Sequence, residues 1–233
     1  AKYFEEKGFK VDAVKEGAGN GTASALSFGT GGESGTYYAF GGVLASFVSG
    51  KSNCKVTALT SGGSQANVED LTNGNVQLAF VQSDVMNYAY NGQRLFDSPV
   101  TGFSVVAQLY QEQVQIVTTN PDIKTVADLA GKKVSIGAAG SGVYFNAIDV
   151  LSAYDLKESD ISAVYQSFGD SAESLKDGKI DAAFIVAGAP TTAITDLATA
   201  GSVYLVSLDD SHVQSLLSAS PYYTAATIKA GTY

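Results

Sequence analysis

The amino-acid sequence predicts an α/β protein with two similarly built lobes, mostly parallel sheets and a hinge between the lobes. Strand-like and helix-like segments alternate from Ala25 onward, which is typical of parallel sheets covered by helices. One strand–turn–helix pattern also occurs twice, and a second pattern follows each copy in the same order. With 233 residues, 45% of them hydrophobic and 16% charged, the chain is long and apolar enough to form a buried core.

The individual elements are predicted from short apolar runs that alternate with helix-like segments, several of which follow Gly-rich turns. The predicted strands span residues 25–29, 55–60, 76–82, 133–137, 163–168, 181–186 and 203–207. The predicted helices span residues 36–48, 64–71, 85–90, 125–129, 143–154, 171–175, 191–199 and 212–218. Residues 101–118 are predicted to form a long extended stretch.

The internal repeat predicts the two lobes. A strand, a Gly-rich turn and a helix that opens with two aromatic residues occur at 27–38 (SFGTGG, then GTYY) and at 135–145 (SIGAAG, then GVYF). Residues 71–81 (LTNGNVQLAFV) likewise align with residues 175–185 (LKDGKIDAAFI). Any α/β protein repeats such units, but two matches in the same order favour two lobes built alike.

The boundary between the lobes is predicted near the middle of the chain. We place the first lobe at residues 1–107, and the second lobe with a return segment at 108–233. The extended residues 108–113 lie between the two sets of elements and are predicted to serve as a hinge strand.

Composition excludes several classes of function. The formal net charge of -9 argues against nucleic acid and anionic membrane surfaces as partners. Cys54 is the only cysteine and His212 the only histidine, which excludes an intrachain disulfide, a cysteine metal cluster and most catalysis by His or Cys. No cofactor is predicted. No apolar run reaches the roughly 20 residues of a membrane helix, and no signal peptide is visible, so we expect a cytosolic protein or a processed exported form.

Three turns rich in Gly and Ser, at 29–35, 61–64 and 140–142, are the candidate binding elements. Each precedes a predicted helix, whose first amides carry a partial positive charge and suit a carboxylate or a phosphate. No Gly-Lys-Ser/Thr follows, so none is a Walker loop. Structural turns that need small residues are the alternative. If both lobes direct their strand ends toward one cleft, the three turns meet there.

Polar and aromatic residues beside these turns complete the candidate site. Gln82 and Ser83 end a predicted strand and would donate to an acidic ligand, whereas Asp84 either caps the next helix or binds a ligand amino group. Tyr37 and Tyr144 are expected to face the ligand. The predicted ligand-binding residues are Thr30, Gly31, Gly32, Tyr37, Ser61, Gly63, Ser64, Gln82, Ser83, Asp84, Gly140, Ser141, Gly142, Tyr144 and Gly188.

Other polar residues receive weaker assignments. Glu112, in the predicted hinge, is expected to bind either the ligand or the other lobe. Arg94 is expected to be a solvated surface charge, and Cys54 and His212 to lack partners. No pair of carboxylates suggests general acid–base catalysis, so the protein is predicted not to be an enzyme.

Collectively, the motifs resemble the TAXI group of solute-binding proteins, which serve TRAP-type transporters. The resemblance covers nearly everything from Ala25 to Tyr233. It is carried by GTGG with GTYY, SGGS with Asn67, VQSD with YAYNG, GSG, and DAAF with GAP, at residues 29–38, 61–67, 81–92, 140–142 and 181–190. It implies the type II periplasmic binding-protein fold, a periplasmic or extracytoplasmic location, and glutamate, glutamine or a related dicarboxylate as the ligand. It also implies a TRAP-type membrane transporter as the partner.

Two features depart from that family. Its members often carry an arginine just after the Gly-Ser-Gly turn, where this chain has Val143-Tyr144, so the resemblance does not fix the ligand. Relatives also continue beyond the position of Tyr233, while residues 1–16 resemble their C-terminal helix and residues 17–25 resemble a linker. We therefore expect a circularly permuted, engineered or incomplete form, against the alternative of a divergent N-terminal extension.

Three functions follow from these observations. The favoured one is a solute-binding receptor that captures a small anionic metabolite in an interlobe cleft. The first alternative is an engineered binding protein used as a sensor scaffold, and the second is an enzyme on a periplasmic-binding-like fold.

Overall fold

The computed structural model describes residues 24–233. The predicted displaced helix at 1–16 and all but the end of the predicted linker at 17–25 lie outside the described residues. Ala25, the last residue of that predicted linker, begins the first strand instead.

The first lobe is a three-stranded parallel sheet with its helices. Its elements, in chain order, are β1 (Ala25–Gly29), α1 (Thr36–Lys51), β2 (Lys55–Leu59), α2 (Ser64–Thr72), β3 (Leu78–Ala79) and α3 (Ser83–Asn91). The strand order is β2-β1-β3. Because all strands are parallel, their carboxyl ends lie at one edge, and each leads directly into the turn that starts a helix.

The second lobe is a five-stranded mixed sheet with four α-helices. It contains β4 (Gln113–Thr118), β5 (Lys133–Ser135), α4 (Val143–Ala153), β6 (Ser162–Val164), α5 (Phe168–Lys176), β7 (Ala182–Ala187), α6 (Thr192–Ala200), β8 (Tyr204–Leu205) and α7 (Asp210–Ala219). Short 3-10 helices span Val126–Leu129 and Glu158–Asp160. In the order β6-β5-β7-β4-β8, strands β5, β6 and β7 are parallel, and β4 is antiparallel to β7 and β8.

Both faces of the second sheet are covered. Every residue of β7 is buried. Phe184 and Ile185, which are adjacent in this strand, belong to different hydrophobic clusters. One cluster also holds Ile116, and the other also holds Leu197 of α6. This two-sided burial is what a continuous apolar run such as AAFIVA predicts for a central strand.

The first lobe has a smaller and more open core. Phe28, Val56 and Phe80 form one cluster with Ala45 of α1. A cavity of about 1590 Å³ borders this cluster, and its walls include residues 102–116 and 222–228. On the outer side of α1, Val43 and Phe47 are exposed.

A further hydrophobic cluster joins the lobes. Val68, Val85 and Tyr88 of the first lobe surround Phe145, which comes from α4 of the second lobe and is 1% exposed. The rings of Tyr88 and Phe145 lie 5.4 Å apart. Phe145 therefore anchors α4 in the core of the opposite lobe.

Two segments cross between the sheets. Residues 101–112 lead from the first sheet to β4 without joining a ladder, and the C-terminal residues return beside them. The side chain of Gln111 donates to the hydroxyl of Thr224, which ties the crossing segments together. Across residues 24–233, no helix combines the length and apolarity that crossing a bilayer requires.

Candidate functional site

A small cavity of about 80 Å³ lies where the lobes meet. The first lobe and the crossing segment contribute Gly31, Gly32, Gly35, Thr36, Tyr37, Ser61, Gly62, Gly63, Ser64, Gln82 and Glu112. The second lobe contributes Ala138, Ser141, Gly142, Val143, Ser167, Phe168, Val186 and Ala187. All three Gly- and Ser-rich turns therefore reach one cavity, although the volume is well below the roughly 300–1,000 Å³ of drug-sized pockets. The two lobes are in contact at this cavity, and this contact defines the closed arrangement.

Three helices begin at this cavity without a side-chain cap. Gly35, Gly63 and Gly142 occupy the N-cap positions of α1, α2 and α4, and none can supply a side-chain acceptor for the first amides. In contrast, α7 begins with Asp209, whose carboxylate accepts from two backbone amides. Uncapped N-termini leave donors and a positive partial charge for a ligand.

Ser141 supplies a further donor at the same place. The residue is 5% exposed, and its Oγ is buried without a hydrogen-bond partner. A buried hydroxyl that lacks a partner costs free energy, on the order of 1–3 kcal/mol. Ser141 itself lines the interlobe cavity beside the uncapped start of α4.

The Gly turns permit the closed arrangement because they let the lobes approach closely. A Cβ atom at Gly142 would lie 1.7 Å from Oε1 of Gln82, so the side chain of Gln82 would have to move to admit any other residue there. At Gly63, whose φ of +117° already favours glycine, a Cβ would lie 3.2 Å from the Cα of Ser141. The backbone amide of Ala66 donates to the carbonyl of Gly140 across the same boundary at 2.9 Å.

A buried polar network also crosses the boundary through Asn146 of α4. Its Oδ1 accepts from Nε2 of Gln82 at 2.7 Å, and its Nδ2 donates to Oδ2 of Asp84 at 2.9 Å. Burial raises the pKa of Asp84 to about 6, against the hydrogen bonds from Val85 and Asn146 that lower it. Gln82, not Asp84, occupies the N-cap position of α3, so the expected capping role of Asp84 is not observed.

Arg94 is exposed, as predicted, and it also pairs across the lobe boundary: its Nη2 lies 2.6 Å from Oδ1 of Asp149 on α4, and its guanidinium lies over the ring of Tyr88. His212 differs from its prediction, because it stacks on Tyr154 and contacts Asp209 through Nδ1 at 2.6 Å. Cys54 is a free thiol.

Tyr37 and Glu112 form the main polar pair on the first-lobe side. The hydroxyl of Tyr37 donates to Oε2 of Glu112 at 3.1 Å and lies 3.4 Å from Oγ of Ser64. Burial and, to a smaller extent, the charge of Asp84 raise the pKa of Glu112 to about 8, against the hydrogen bond from Tyr37 that lowers it. Burial likewise raises the pKa of Tyr37, so its hydroxyl remains a donor.

The predicted site residues divide into three groups. Those that line the interlobe cavity are Gly31, Gly32, Tyr37, Ser61, Gly63, Ser64, Gln82, Ser141 and Gly142. Ser83 and Asp84 line the larger neighbouring cavity instead.

The remaining predicted residues make other contacts. The Thr30 hydroxyl donates to the carbonyl of Leu59, and Gly140 packs against Ala66. The carbonyl of Gly188 accepts from Thr191. The expectation that Tyr144 faces the ligand is not met, because its hydroxyl donates to Oε2 of Glu158 at 3.0 Å.

Several lining residues had no assigned role in the sequence prediction. Ser167 and Phe168 begin α5, and Val186 and Ala187 end β7, where side-chain direction depends on tertiary packing. A usable signal existed for Ser167, since a serine three residues before Asp170 is a typical helix start.

The charges around the site are unusual for an anion site. Of the residues between 24 and 233 that line either cavity, none is Lys, Arg or His. Within the same range, no group of three or more His, Cys, Asp or Glu residues is arranged to hold a metal ion. Backbone amides and hydroxyls are therefore the donors available to an anion.

Residues 28–233 match the model of the NMT1-like family. The chain belongs to the NMT1-like family. Among solved structures, this family member is similar to an ancestral arginine-binding protein bound to glutamine, with 18% identity, 81% of this chain and 80% of that chain covered, and a TM-score of 0.57. It is also similar to the amino acid ABC transporter substrate-binding protein AbpA of Streptococcus pneumoniae bound to L-arginine, with 16% identity, coverages of 78% and 75%, and a TM-score of 0.53.

A third similar structure is the alkanesulfonate-binding protein SsuA of Xanthomonas axonopodis pv. citri bound to MOPS, with 21% identity, 79% of this chain covered and a TM-score of 0.51. The NMT1-like chain spans 60% of the length of that protein. These similarities confirm the predicted α/β fold of the periplasmic-binding-protein type.

Proposed function

We propose that this NMT1-like protein is a solute-binding receptor that captures a small anionic metabolite between its lobes and performs no chemistry on it. The observation that carries the proposal is the set of uncapped helix starts from both lobes at one cavity, joined by the unpartnered hydroxyl of Ser141. A carboxylate or sulfonate in this cavity would accept hydrogen bonds from these preorganised donors in place of the water molecules that solvate it outside the protein.

Ligand binding also explains why donors come from both lobes. Gly63 belongs to the first lobe, and Ser141 and Gly142 belong to the second. A ligand that contacts both sets gains most of its contacts only when the lobes are closed, so it shifts the population toward the closed state. We retain the division into residues 1–107 and 108–233, with the hinge at 108–113, as part of this proposal.

For the solute we propose an amino acid or a related dicarboxylate such as glutamate, as the TAXI resemblance implies. The similar structures contain glutamine, L-arginine and MOPS, which supports a small solute with an acidic group. For the partner we propose a TRAP-type transporter, and for the location the periplasm or the extracytoplasmic surface. AbpA is described as an ABC transporter substrate-binding protein, which makes an ABC importer the alternative partner.

Native mass spectrometry followed by calorimetry tests the receptor function. We expect a co-purified small acid, or a solute from a panel of amino acids, dicarboxylates and sulfonates, to bind with a measurable heat. Ser141→Ala should weaken binding of that solute about fivefold to tenfold, because a buried hydrogen bond to a charged group is lost. Ser218→Ala, on the exposed side of α7, is the matched control and should leave affinity unchanged.

Two results would count against this function. One is the absence of any bound or binding solute in the whole panel. The other is binding that Ser141→Ala leaves unchanged, which would place the solute elsewhere in the molecule.

A further inference from the structure

Glu112 places a carboxyl group at the cavity that is proposed to hold an anion. It lies at the end of the crossing segment, one residue before β4, and lines both the interlobe cavity and the larger one. Its side-chain partner in the cavity is Tyr37, which donates at 3.1 Å. A hydrogen bond from one neutral hydroxyl offsets only a small part of the free energy that it costs to remove a carboxylate from water.

The neighbourhood of Glu112 offers no protein cation. The cavity-lining residues from 24 to 233 lack Lys, Arg and His, and the second-lobe lining residues carry no ionisable side chain. The titratable groups that face Glu112 are Tyr37 of α1, Tyr110 of its own segment and Asp84 of α3, and an ionised Asp84 repels it. A purely dianionic ligand would add a further repulsion.

The donor groups for an anion lie close to this carboxyl. The Tyr37 hydroxyl that bonds Glu112 is also 3.4 Å from Oγ of Ser64, the first residue of α2. The uncapped start of α2 and the carboxyl of Glu112 are thus separated by a single hydroxyl group within a cavity of about 80 Å³. Such a site has a positive pole and a negative pole at the spacing of a small zwitterion.

We infer that the captured solute carries an ammonium group beside its acid group, and that Glu112 is the residue that selects it by pairing with that ammonium. This inference rests on the proposed receptor function and narrows it, since it excludes amine-free dicarboxylates and sulfonates as the preferred solutes. The acid group binds the helix starts and Ser141, and the ammonium replaces the missing cation beside Glu112.

Proton release is a consequence of this pairing. The pKa of Glu112 is raised to about 8, so near pH 7 the free protein holds this carboxyl mostly protonated. An adjacent ammonium favours the ionised form, so binding expels the proton. A ligand without an amine would leave the proton on Glu112, so its binding would release none.

The test uses thermal shifts of the purified chain with two pools of probes at pH 7. One pool holds the twenty common amino acids, and the other holds glutarate, succinate, malate and ethanesulfonate. We expect the amino acid pool to raise the melting temperature and the amine-free pool to leave it nearly unchanged. In Glu112→Gln the increase in melting temperature with the amino acid pool should fall to less than a third of the wild-type value. Glu173 is an exposed carboxylate on α5, and Glu173→Gln should retain the wild-type increase.

Calorimetry with the most effective amino acid then measures protons in phosphate and Tris buffers, whose ionisation enthalpies differ. Release of a fraction of a proton by the wild type, absent in Glu112→Gln, supports the inference. A shift by the amine-free pool equal to that by the amino acids, an unchanged shift in Glu112→Gln, or proton uptake overturns the inference and leaves the receptor function standing. No shift with either pool contradicts both proposals.

Discussion

The hydrophobic cores of the two lobes differ in how completely they are covered. In the second lobe, Phe184 and Ile185 of β7 point to opposite faces, and each enters a cluster closed by helices. In the first lobe, Phe28 of the central strand lines a cavity of about 1590 Å³. The second lobe therefore has the contacts of an independent core. In the first lobe, the cluster of Val68, Val85 and Tyr88 is completed by Phe145, which belongs to α4 of the second lobe.

This difference bears on function. Separation of the lobes would withdraw Phe145 from the first-lobe cluster, and exposing a buried aromatic side chain costs about 1.5–3 kcal/mol. The contact between the lobes is thus stabilised by apolar burial. In the proposed receptor, contacts with the solute would add to this stabilisation.

The largest expected effect tests the two cores directly. Phe184→Ala should lower the free energy of unfolding by about 3–5 kcal/mol, because a fully buried ring leaves a cavity. Phe28→Ala should cost only about 2 kcal/mol, because that ring already borders a large cavity. Urea unfolding followed by circular dichroism gives both values, and Phe47→Ala, at 62% exposed, is the control with an effect under about 0.5 kcal/mol. Equal losses for Phe184→Ala and Phe28→Ala would refute the comparison.

The pH dependence of stability probes the site between the lobes. The pKa of Glu112 is about 8 in the folded protein, above the ordinary value of 4.5, so the folded state binds the proton more tightly. The contribution of Glu112 to the free energy of unfolding should therefore fall by about 3 kcal/mol as pH rises from 5 to 8, and Asp84, whose pKa is about 6, should add a smaller fall. Glu112→Gln should remove most of this slope, and Glu173→Gln should keep it. A wild-type stability that rises over this range would contradict the assignment.

A smaller effect is expected where the polar network crosses the boundary. Asn146→Ala deprives Gln82 and Asp84 of buried partners and should cost about 2 kcal/mol. Small-angle X-ray scattering should show an increased radius of gyration as the lobes separate. The exposed Asn75, which bonds Asp70 at 2.9 Å, provides the control Asn75→Ala. An unchanged radius in Asn146→Ala would show that this network does not hold the lobes together.

Much of the fold was predictable because local patterns agreed with tertiary packing. The apolar run at 181–186 predicts a buried strand, and β7 is found at Ala182–Ala187. The predicted strand at 76–82 shrinks to Leu78–Ala79, since only these residues pair, with Phe28 and Gly29 of β1. Of the predicted extended stretch at 101–118, residues 113–118 form β4, whereas residues 101–112 join no ladder, because pairing depends on partners that a local pattern does not reveal.

The site was predictable only where backbone chemistry defines it. Glycine turns before helices carry a local signal, and Gly31, Gly63 and Gly142 indeed meet at one cavity. Contacts between residues distant in sequence carry no such signal: Arg94 and Asp149 are 55 positions apart. The sequence does not decide whether Glu112 binds the ligand or the other lobe, because its burial beside Tyr37 arises only when the lobes meet.

The most direct test of the receptor account is to block closure at Gly142. A side chain there would collide with Oε1 of Gln82, while the second-lobe core that contains Phe184 is untouched. Calorimetry uses the solute that raises the melting temperature of the wild-type protein most. For Gly142→Val it should show a Kd that is higher by at least ~100-fold, with cooperative unfolding retained. Wild-type affinity in this variant would contradict the claim that the solute is held between the closed lobes.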